Sequence, residues 1–552
     1  VKICGLKLTH DAAVAGIEDG RLVFCVEIEK LDNRPRYTKM TDTSLIDRVL
    51  RRFNFEPDVI VVDGWKGSRV KETGLAVASY HEFDGDANSL LTRSTFEEPS
   101  GHSAEYGSYP HITGHVVGTY ATSPFAAKRE PAYVITWDGG QNARVHLVQP
   151  DAPAQILFHV ALHEMYGIIY GIMGYYFGPY AQPSVAAVPL EEIAARALYG
   201  GYDKPGKLMS WIGFGTVVPS LLVTAHEIYL ECLKDFRGPR LGYNQNGILE
   251  HDFMRRFAHE AKAMAVSDAD ALATVHKFLE QLLVTAAVQK IPRGSNLCFT
   301  GGSALNIKWN SALRRSGHFA DVWVPPFPND SGSALGVACA EMALIENRWA
   351  LEWSVYSGPS INPPSDLEPG WSARRITPQE VAALLHDEPR RPIVALNGRA
   401  EIGPRALGNR SILASARIAE NKALLNDMKA REPFRPVAPI CMERVAPRIF
   451  DPGTPDPYML FDHLIRSEFW EHIPAVQHID GTARLQTVNE DQNPLIHALL
   501  TEYERLSGIG LLCNTSANYN GSGFFPDVES AMLWGQVSRI WSDGWLYERS
   551  EA

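Results

Sequence analysis

A chain of 552 residues, 45% hydrophobic and 21% charged, is long enough for roughly two to four domains and has the composition of an ordinary globular protein. Its net charge of −12 at pH 7 argues against a nucleic-acid-binding surface, which needs a basic face, and could favour a cationic small molecule. No apolar run approaches the about 18 residues of a membrane helix, and the amino end, where Lys2, Lys7 and His10 interrupt the first strand, carries no signal-peptide pattern, so a cytoplasmic enzyme without membrane contact is expected. The seven cysteines include no Cys-x-x-Cys pair and read as buried thiols.

In chain order, Gly5 to Ala13 running into Ala15 to Phe24 reads as two alternating strands joined by a hairpin at Asp19-Gly20. His10 and Asp11 stand where the first of them ends. His111 and His115 follow at helical spacing, so two imidazoles share a face and can reach one cation. Carboxylates from distant loops, Asp138 and Asp330, can complete the shell; without them the pair is a surface or packing feature. A zinc protease is disfavoured, because His111-Ile112-Thr113-Gly114-His115 lacks the glutamate of the His-Glu-x-x-His arrangement.

Ala132 to Gly140 reads as a buried strand opening onto an acidic glycine turn, and Cys298 to Asn306 as a strand followed by glycines and a helix start. Glycine lets backbone N–H groups approach phosphate oxygens, and a helix N-terminus favours their charge. Ser331 to Ala340 predicts a small-residue helix packed closely on a sheet. Between Tyr356 and Trp371 a Pro/Gly/Ser-rich break ends the periodicity. Beyond it, Arg399 to Arg435 holds eight basic residues against four acidic ones. Several of these cations adjoin Pro or Gly, and arginines fixed on turns can grip oxyanions bidentately.

The three glycine turns resemble the two phosphate loops and the adenosine loop of the actin, sugar-kinase and heat-shock ATPase superfamily. The histidine pair resembles the metal-binding helix of the tRNA threonylcarbamoyl-transferase branch. In the carboxyl half the order of segments is similar to the O-carbamoyltransferase family that includes the nodulation and cephamycin enzymes. The segments are Gly403-Pro404-Arg405-Ala406-Leu407-Gly408-Asn409-Arg410-Ser411, Lys429-x-Arg431-Glu432-x-Phe434-Arg435-Pro436, His478-x-Asp480-Gly481-Thr482-Ala483-Arg484 and Asn514-Thr515-Ser516. His10-Asp11, the histidine pair, Asp138-Gly139 and Gly206-Lys207-Leu208-Met209 extend the likeness through the amino half.

The resemblance implies an α/β protein. An actin-like ATPase (Kae-type) domain with a duplicated sheet core would span 1–355, a linker 356–371, and an α/β YrdC-like domain 372–552. It implies an ATP-dependent O-carbamoyltransferase that makes carbamoyl adenylate from carbamoyl phosphate and ATP, then transfers the carbamoyl group to a hydroxyl. Overall likeness within the family, rather than any one motif, points to an aminoglycoside acceptor such as tobramycin. Carbamoyl phosphate is a small dianion, so its pocket needs fixed cations and hydrogen-bond donors. Arg410, Lys429, Arg431, Arg435, Arg484, Asn514 and Ser516 are the candidates. AMP would lie on Gly139, Gly140, Gly301, Gly302 and Asn306, with Lys207 near the phosphate and Ser516 at the nucleotide of the other half. His111, His115, Asp138 and Asp330 would hold Fe2+, with Mn2+ or Zn2+ as alternatives, and ATP would bring Mg2+. His10 is a candidate general base with Asp11 beside it, and Lys429 and Arg435 are the catalytic cations of the first step. The competing readings are a threonylcarbamoyl-type tRNA-modifying enzyme, a sugar-kinase-like ATPase and a non-catalytic nucleotide-binding regulator.

Overall fold

A computed structural model describes residues 1–66, 79–80, 90–96, 106–152, 155–186, 188–190, 192, 204–235 and 247–550. The chain forms two compact units, Val1–His81 with Arg93–Gly114 and Asp330–Ala552, and Glu82–Thr92 with His115–Asn329.

The first unit contains a six-stranded sheet ordered Arg21–Glu27, Ala13–Glu18, Lys2–Lys7, Val59–Asp63, Tyr106–Tyr109, Ser94–Phe96. Where the sequence reads as two strands before Phe24, there are three: the chain turns between Lys7 and Ala13, with Asp11 at φ 58°. The hairpin at Asp19-Gly20 is present, both residues having positive φ. The first strands are buried nearly throughout, so both faces are covered and alternation gives way to continuous apolar runs. One cover is the small-residue helix Ser333–Glu346, which packs as closely as the sequence predicts. A Cβ on Gly5 would lie 2.0 Å from Ala334 O, and one on Gly336 would lie 1.9 Å from Gly114 O. Glycine at these crossings lets the strand and the start of helix His111–Ala121 close on the Ser333 helix, which sets the positions of His111 and Asp330.

The second unit repeats the pattern in a five-stranded sheet, ordered Ile156–Tyr166, Asn142–Val148, Ala132–Thr136, Asn296–Thr300, Asp321–Trp323. In both sheets the first three strands are antiparallel and the next two run parallel from the third; in the six-stranded sheet Ser94–Phe96 then closes the edge antiparallel. This is the duplicated core that the sequence led us to expect. Among the described residues one helix, Asp268–Lys290, is long and apolar enough to cross a membrane by length and composition alone, and 56% of its apolar window is buried inside the protein.

The carboxyl half of the first unit is built on an eight-stranded mixed sheet, ordered Trp371–Arg375, Trp545–Arg549, Arg539–Ser542, Ile393–Leu396, Arg410–Ser415, Leu511–Ser516, Ala438–Met442, Gln486–Val488. Val381, Leu385, Leu499 and Tyr503, from helices Pro378–Asp387 and Pro494–Ser507, join its core. The Pro/Gly/Ser-rich stretch 356–371 is packed in its first part and exposed beyond it: Ser357 and Ile361 are buried, Ser360 bridges Arg399, and Asn362 bridges Asp527. All seven cysteines are free and buried.

Candidate active site

In the first unit, strand ends converge on a buried cluster of charge. Lys7, the last residue of its strand, places Nζ 3.0 Å from Asp63 and 2.8 Å from Asp330. His111 donates from Nδ1 to Asp63 Oδ2 at 2.8 Å and turns Nε2 toward Asp330 Oδ1 at 3.3 Å. Burial would pull Lys7 down, but Asp330 and Asp63 hold it above the usual lysine range. Burial would likewise lower His111, yet Asp63 and Asp330 raise it to about 10. Burial pushes the carboxyls of Asp330 and Asp63 up; Lys7 and His111 reverse this, leaving Asp330 well below the carboxylate range. His10 joins at the rim, Nδ1 3.1 Å from Asp11 and Nε2 3.5 Å from Asp330.

This arrangement fits a cation. A ligand histidine commonly gives its second ring N–H to a carboxylate, which fixes the ring and aims the other nitrogen at the metal. His111 does this through Asp63, and one Asp63 oxygen remains buried without a hydrogen bond. In the second unit, His115 is buried and lies with a ring nitrogen within 4.8 Å of an Asp138 oxygen. The candidate donors are therefore His111 and Asp330 in one unit, His115 and Asp138 in the other. Helix His111–Ala121 carries both imidazoles one turn apart.

The glycine turns of the second unit divide into two kinds. Gly139 and Gly140 form no backbone N–H bond among the described residues, and a Cβ on Gly139 would meet nothing within 4 Å, so this turn is open to a ligand. Gly301 and Gly302 do not offer their N–H groups as expected. Gly301 donates to Pro328 O at 2.8 Å and Gly302 to Asp138 Oδ1 at 2.6 Å. The need for glycine at 301 is steric: φ is 90°, and a Cβ would lie 2.4 Å from Trp137 O. Asn306 caps helix Ile307–Arg315, accepting from Lys308 and Trp309 N–H. Lys207 lies in helix Lys204–Trp211 with Nζ 5.5 Å from the centre of the Tyr180 ring.

A second cluster, also in the first unit, is made of cations. Lys429 Nζ donates to Ser516 O, to Ser516 Oγ at 2.9 Å and to Asn518 Oδ1. Arg431 reaches Thr515 Oγ1 at 2.9 Å. Arg405 and Arg484 form no hydrogen bond or ion pair among the described residues, and the Nε atoms of both, like that of Arg431, are buried and unbonded. Burial, then Arg405, Arg435 and Arg431, presses Arg484 well below the arginine range; burial, then Arg36 and Arg435, presses Arg405 to about 10; burial, then Arg435 and Arg36, presses Arg431 to about 9. Guanidinium keeps its proton near neutrality, so these side chains stay positively charged beside one another. Among the described carboxylates, Glu432 stands 3.7 Å from Arg435, Asp456 acts on Arg405, and Glu29 is within the field of Arg36.

Arg410, expected among these cations, is not one of them. It is fully buried and its guanidinium donates to four main-chain carbonyls, Asn397, Gly398, Asn409 and Pro359. Asn514 also acts on the scaffold, donating to Ala406 O and Gln486 Oε1. The loop before Arg410 owes its shape to Glu401, whose Oε1 accepts from the N–H groups of Leu407, Asn409 and Arg410 at 2.7, 2.8 and 3.2 Å. Sequence reasoning did not single out Lys7, Asp63, Arg36 or Glu401 as site residues, and it counted Arg405 among the turn cations without placing it in the site. Lys7 left a signal as a charge at the end of an apolar strand.

Buried imidazole and carboxylate groups thus gather on one sheet of the first unit, and a group of guanidiniums on another. The family is fixed by comparison: residues 2–339 match the model for the carbamoyltransferase N-terminus and residues 383–540 that for the carbamoyltransferase C-terminus. The chain belongs to the carbamoyltransferase family. It is 44% identical to nodulation protein U of Rhizobium tropici, over all of this chain and 96% of that protein. It is 32% identical to the 3'-hydroxymethylcephem-O-carbamoyltransferase of Amycolatopsis lactamdurans, over all of this chain and 99% of that protein. Among solved structures, the activator of the 2-hydroxyisocaproyl-CoA dehydratase from Clostridium difficile with bound ADPNP matches at TM-score 0.33 and 14% identity, covering 63% of this chain and 98% of that one.

Proposed function

We propose that this carbamoyltransferase couples ATP and carbamoyl phosphate to the carbamoylation of a hydroxyl. The observation that carries the proposal is the pair Arg405 and Arg484, half-buried guanidiniums without a hydrogen bond or ion pair among the described residues, beside Lys429, Arg431 and Arg435. A small phosphate dianion and the triphosphate of ATP are what such a group can neutralise. Water would hydrolyse carbamoyl phosphate there to carbamate and phosphate; the carbamate oxygen then attacks the α-phosphorus of ATP, expelling pyrophosphate and leaving carbamoyl adenylate. This half is the YrdC-like part of the proposal, and 1–355 the actin-like part, whose open turn at Gly139 and Gly140 would take the AMP moiety.

For the second step the acceptor oxygen attacks the carbamoyl carbon, and AMP leaves. Its proton has His10 as the candidate receiver, oriented by Asp11. His111, His115, Asp138 and Asp330 would together hold one cation, iron by family likeness and manganese or zinc by donor chemistry. When bound it would polarise the carbamoyl carbonyl as a Lewis acid. Lys7 and Asp63 keep Asp330 and His111 in position. The hydroxymethylcephem enzyme's name supports an alcohol acceptor. An aminoglycoside hydroxyl, tobramycin's among them, is the particular acceptor we infer, and the net charge of −12 suits a cationic one. A cytoplasmic location accords with these metabolites.

The test is mass spectrometry of products after incubation with ATP, carbamoyl phosphate and a panel of aminoglycosides and hydroxymethyl-cephem compounds. One added carbamoyl group, with AMP and pyrophosphate formed in equal amount, is expected. Carbamoylation that proceeds without ATP would refute the adenylate route. In parallel, His115→Ala should lose bound metal by elemental analysis while still releasing pyrophosphate.

A further inference from the structure

The cation cluster is not built by the carboxyl half alone. The segment after strand Arg21–Glu27 runs along two of the loops that line it. At its start, Lys30 donates to Glu401 O at 2.9 Å and Gly403 O at 2.6 Å, while Glu27 Oε1 accepts from Gly403 N. Farther on, Pro35 bridges Ser522, Arg36 N donates to Gly521 O at 2.8 Å, and Gly523 N donates to Arg34 O at 3.0 Å. The approach is close enough that a Cβ on Gly523 would lie 2.0 Å from Glu29 O. Asn33 adds a bond to Ser530 Oγ at 2.8 Å.

Arg36 is the cation this segment brings. Its Nε donates to Ser522 O at 3.3 Å. That carbonyl also accepts from Asn518 Nδ2, and Asn518 Oδ1 accepts from Lys429. The two terminal amino groups of Arg36 form no bond among the described residues. Its charge acts on Lys429, Arg431 and Arg405, lowering each. A cation held against other cations by a docked backbone, with both of its amino groups unspent, is placed to receive an anion.

We propose that Arg36, supplied by the amino-terminal part of the chain, is a further substrate-binding residue of the anion site, gripping a phosphate oxygen of carbamoyl phosphate or of ATP. The proposal rests on the reading of that site given above. It makes the site composite, since residue 36 lies outside the stretch 383–540 matched by the carboxyl-terminal family model.

The experiment uses the full chain and measures carbamoyl-phosphate-dependent pyrophosphate release from ATP. Arg36→Met should raise the KM for carbamoyl phosphate or for ATP at least about tenfold, the loss expected of one charged hydrogen bond, without lowering the melting temperature. Arg36→Lys should recover most of that loss. Asn33→Ala, which removes a docking bond but no charge, should leave both KM values unchanged. If Arg36→Met does not fold, Arg36→Gln, which keeps a donor for Ser522 O, takes its place. Arg435→Met is the reference. Wild-type KM values for Arg36→Met beside a disabled Arg435→Met overturn the proposal and leave the site standing; equal damage from Asn33→Ala and Arg36→Met overturns it in favour of docking. If neither arginine matters, the reading of the anion site itself fails.

Discussion

The ammonium of Lys7 lies 2.8 Å from Asp330 and 3.0 Å from Asp63, so one side chain at the end of the first strand holds together two buried carboxylates that would otherwise repel each other. Cutting one partner from such a cluster leaves uncompensated charge in the interior, a loss of about 3–5 kcal/mol. Lys7→Met should therefore lower stability by about that amount, measured by denaturant unfolding. Lys7→Met with Asp63→Asn should lose less than the sum of the single variants, because the second change removes a charge that the first orphaned. Additive losses would mean that the two groups do not act through each other.

Two arginines in neighbouring motifs should fail in different ways. Arg410→Met strands four main-chain carbonyls and should cost several kcal/mol of stability, on the order of 1–3 kcal/mol for each group left without a donor or water. Arg435→Met should unfold near the wild-type temperature yet lose pyrophosphate release. Thermal melts and that assay, run on both proteins, check the contrast.

Gly301 stands at φ 90° and ψ 167° with no room for a methyl group. Gly301→Ala should destabilise by about 2 kcal/mol or more, from the backbone conformation and the overlap together. Gly139→Ala, where a Cβ meets open space, should leave the melting temperature nearly unchanged and weaken only nucleotide-dependent steps.

Glu250 gives a pH signature remote from the chemistry. Burial raises its carboxyl from 4.5 to about 7, against the opposing Tyr166 N–H. The folded state then holds a proton that the unfolded state has released, so stability is full below about 4.5 and falls as pH rises through 7. The displacement corresponds to about 3 kcal/mol. Glu250→Gln, which keeps an acceptor for Tyr166, should melt at a higher temperature than wild type at pH 8, and the two should converge near pH 4. Melting curves at both pH values test the sign.

The sequence exposed what local pattern encodes. Helical spacing announced His111 and His115, and the run of small residues after Asp330 announced a helix pressed on a sheet. Pattern misled where one residue type serves two physical ends. Gly301 and Gly302 read as phosphate donors, but at Gly301 the missing side chain lets one strand end pass another. Arg410 read as an anion-binding cation beside a turn, but its donors are spent on carbonyls made available by folding. Lys7 and Asp63 are separated by 56 positions, and Arg36 and Ser522 by 486; a single sequence carries no mark of either pairing.

That last separation bears on how the protein is made. The backbone that receives residues 33–36 is synthesised roughly 25–100 s after the segment itself at ordinary ribosome speeds. Until then the Arg34 carbonyl and the Arg36 N–H wait without their final partners, and a chain that stops short of residue 521 has nowhere to dock them. The docked segment is therefore completed only after residue 523 has been made, and termination before that point yields products in which it cannot dock.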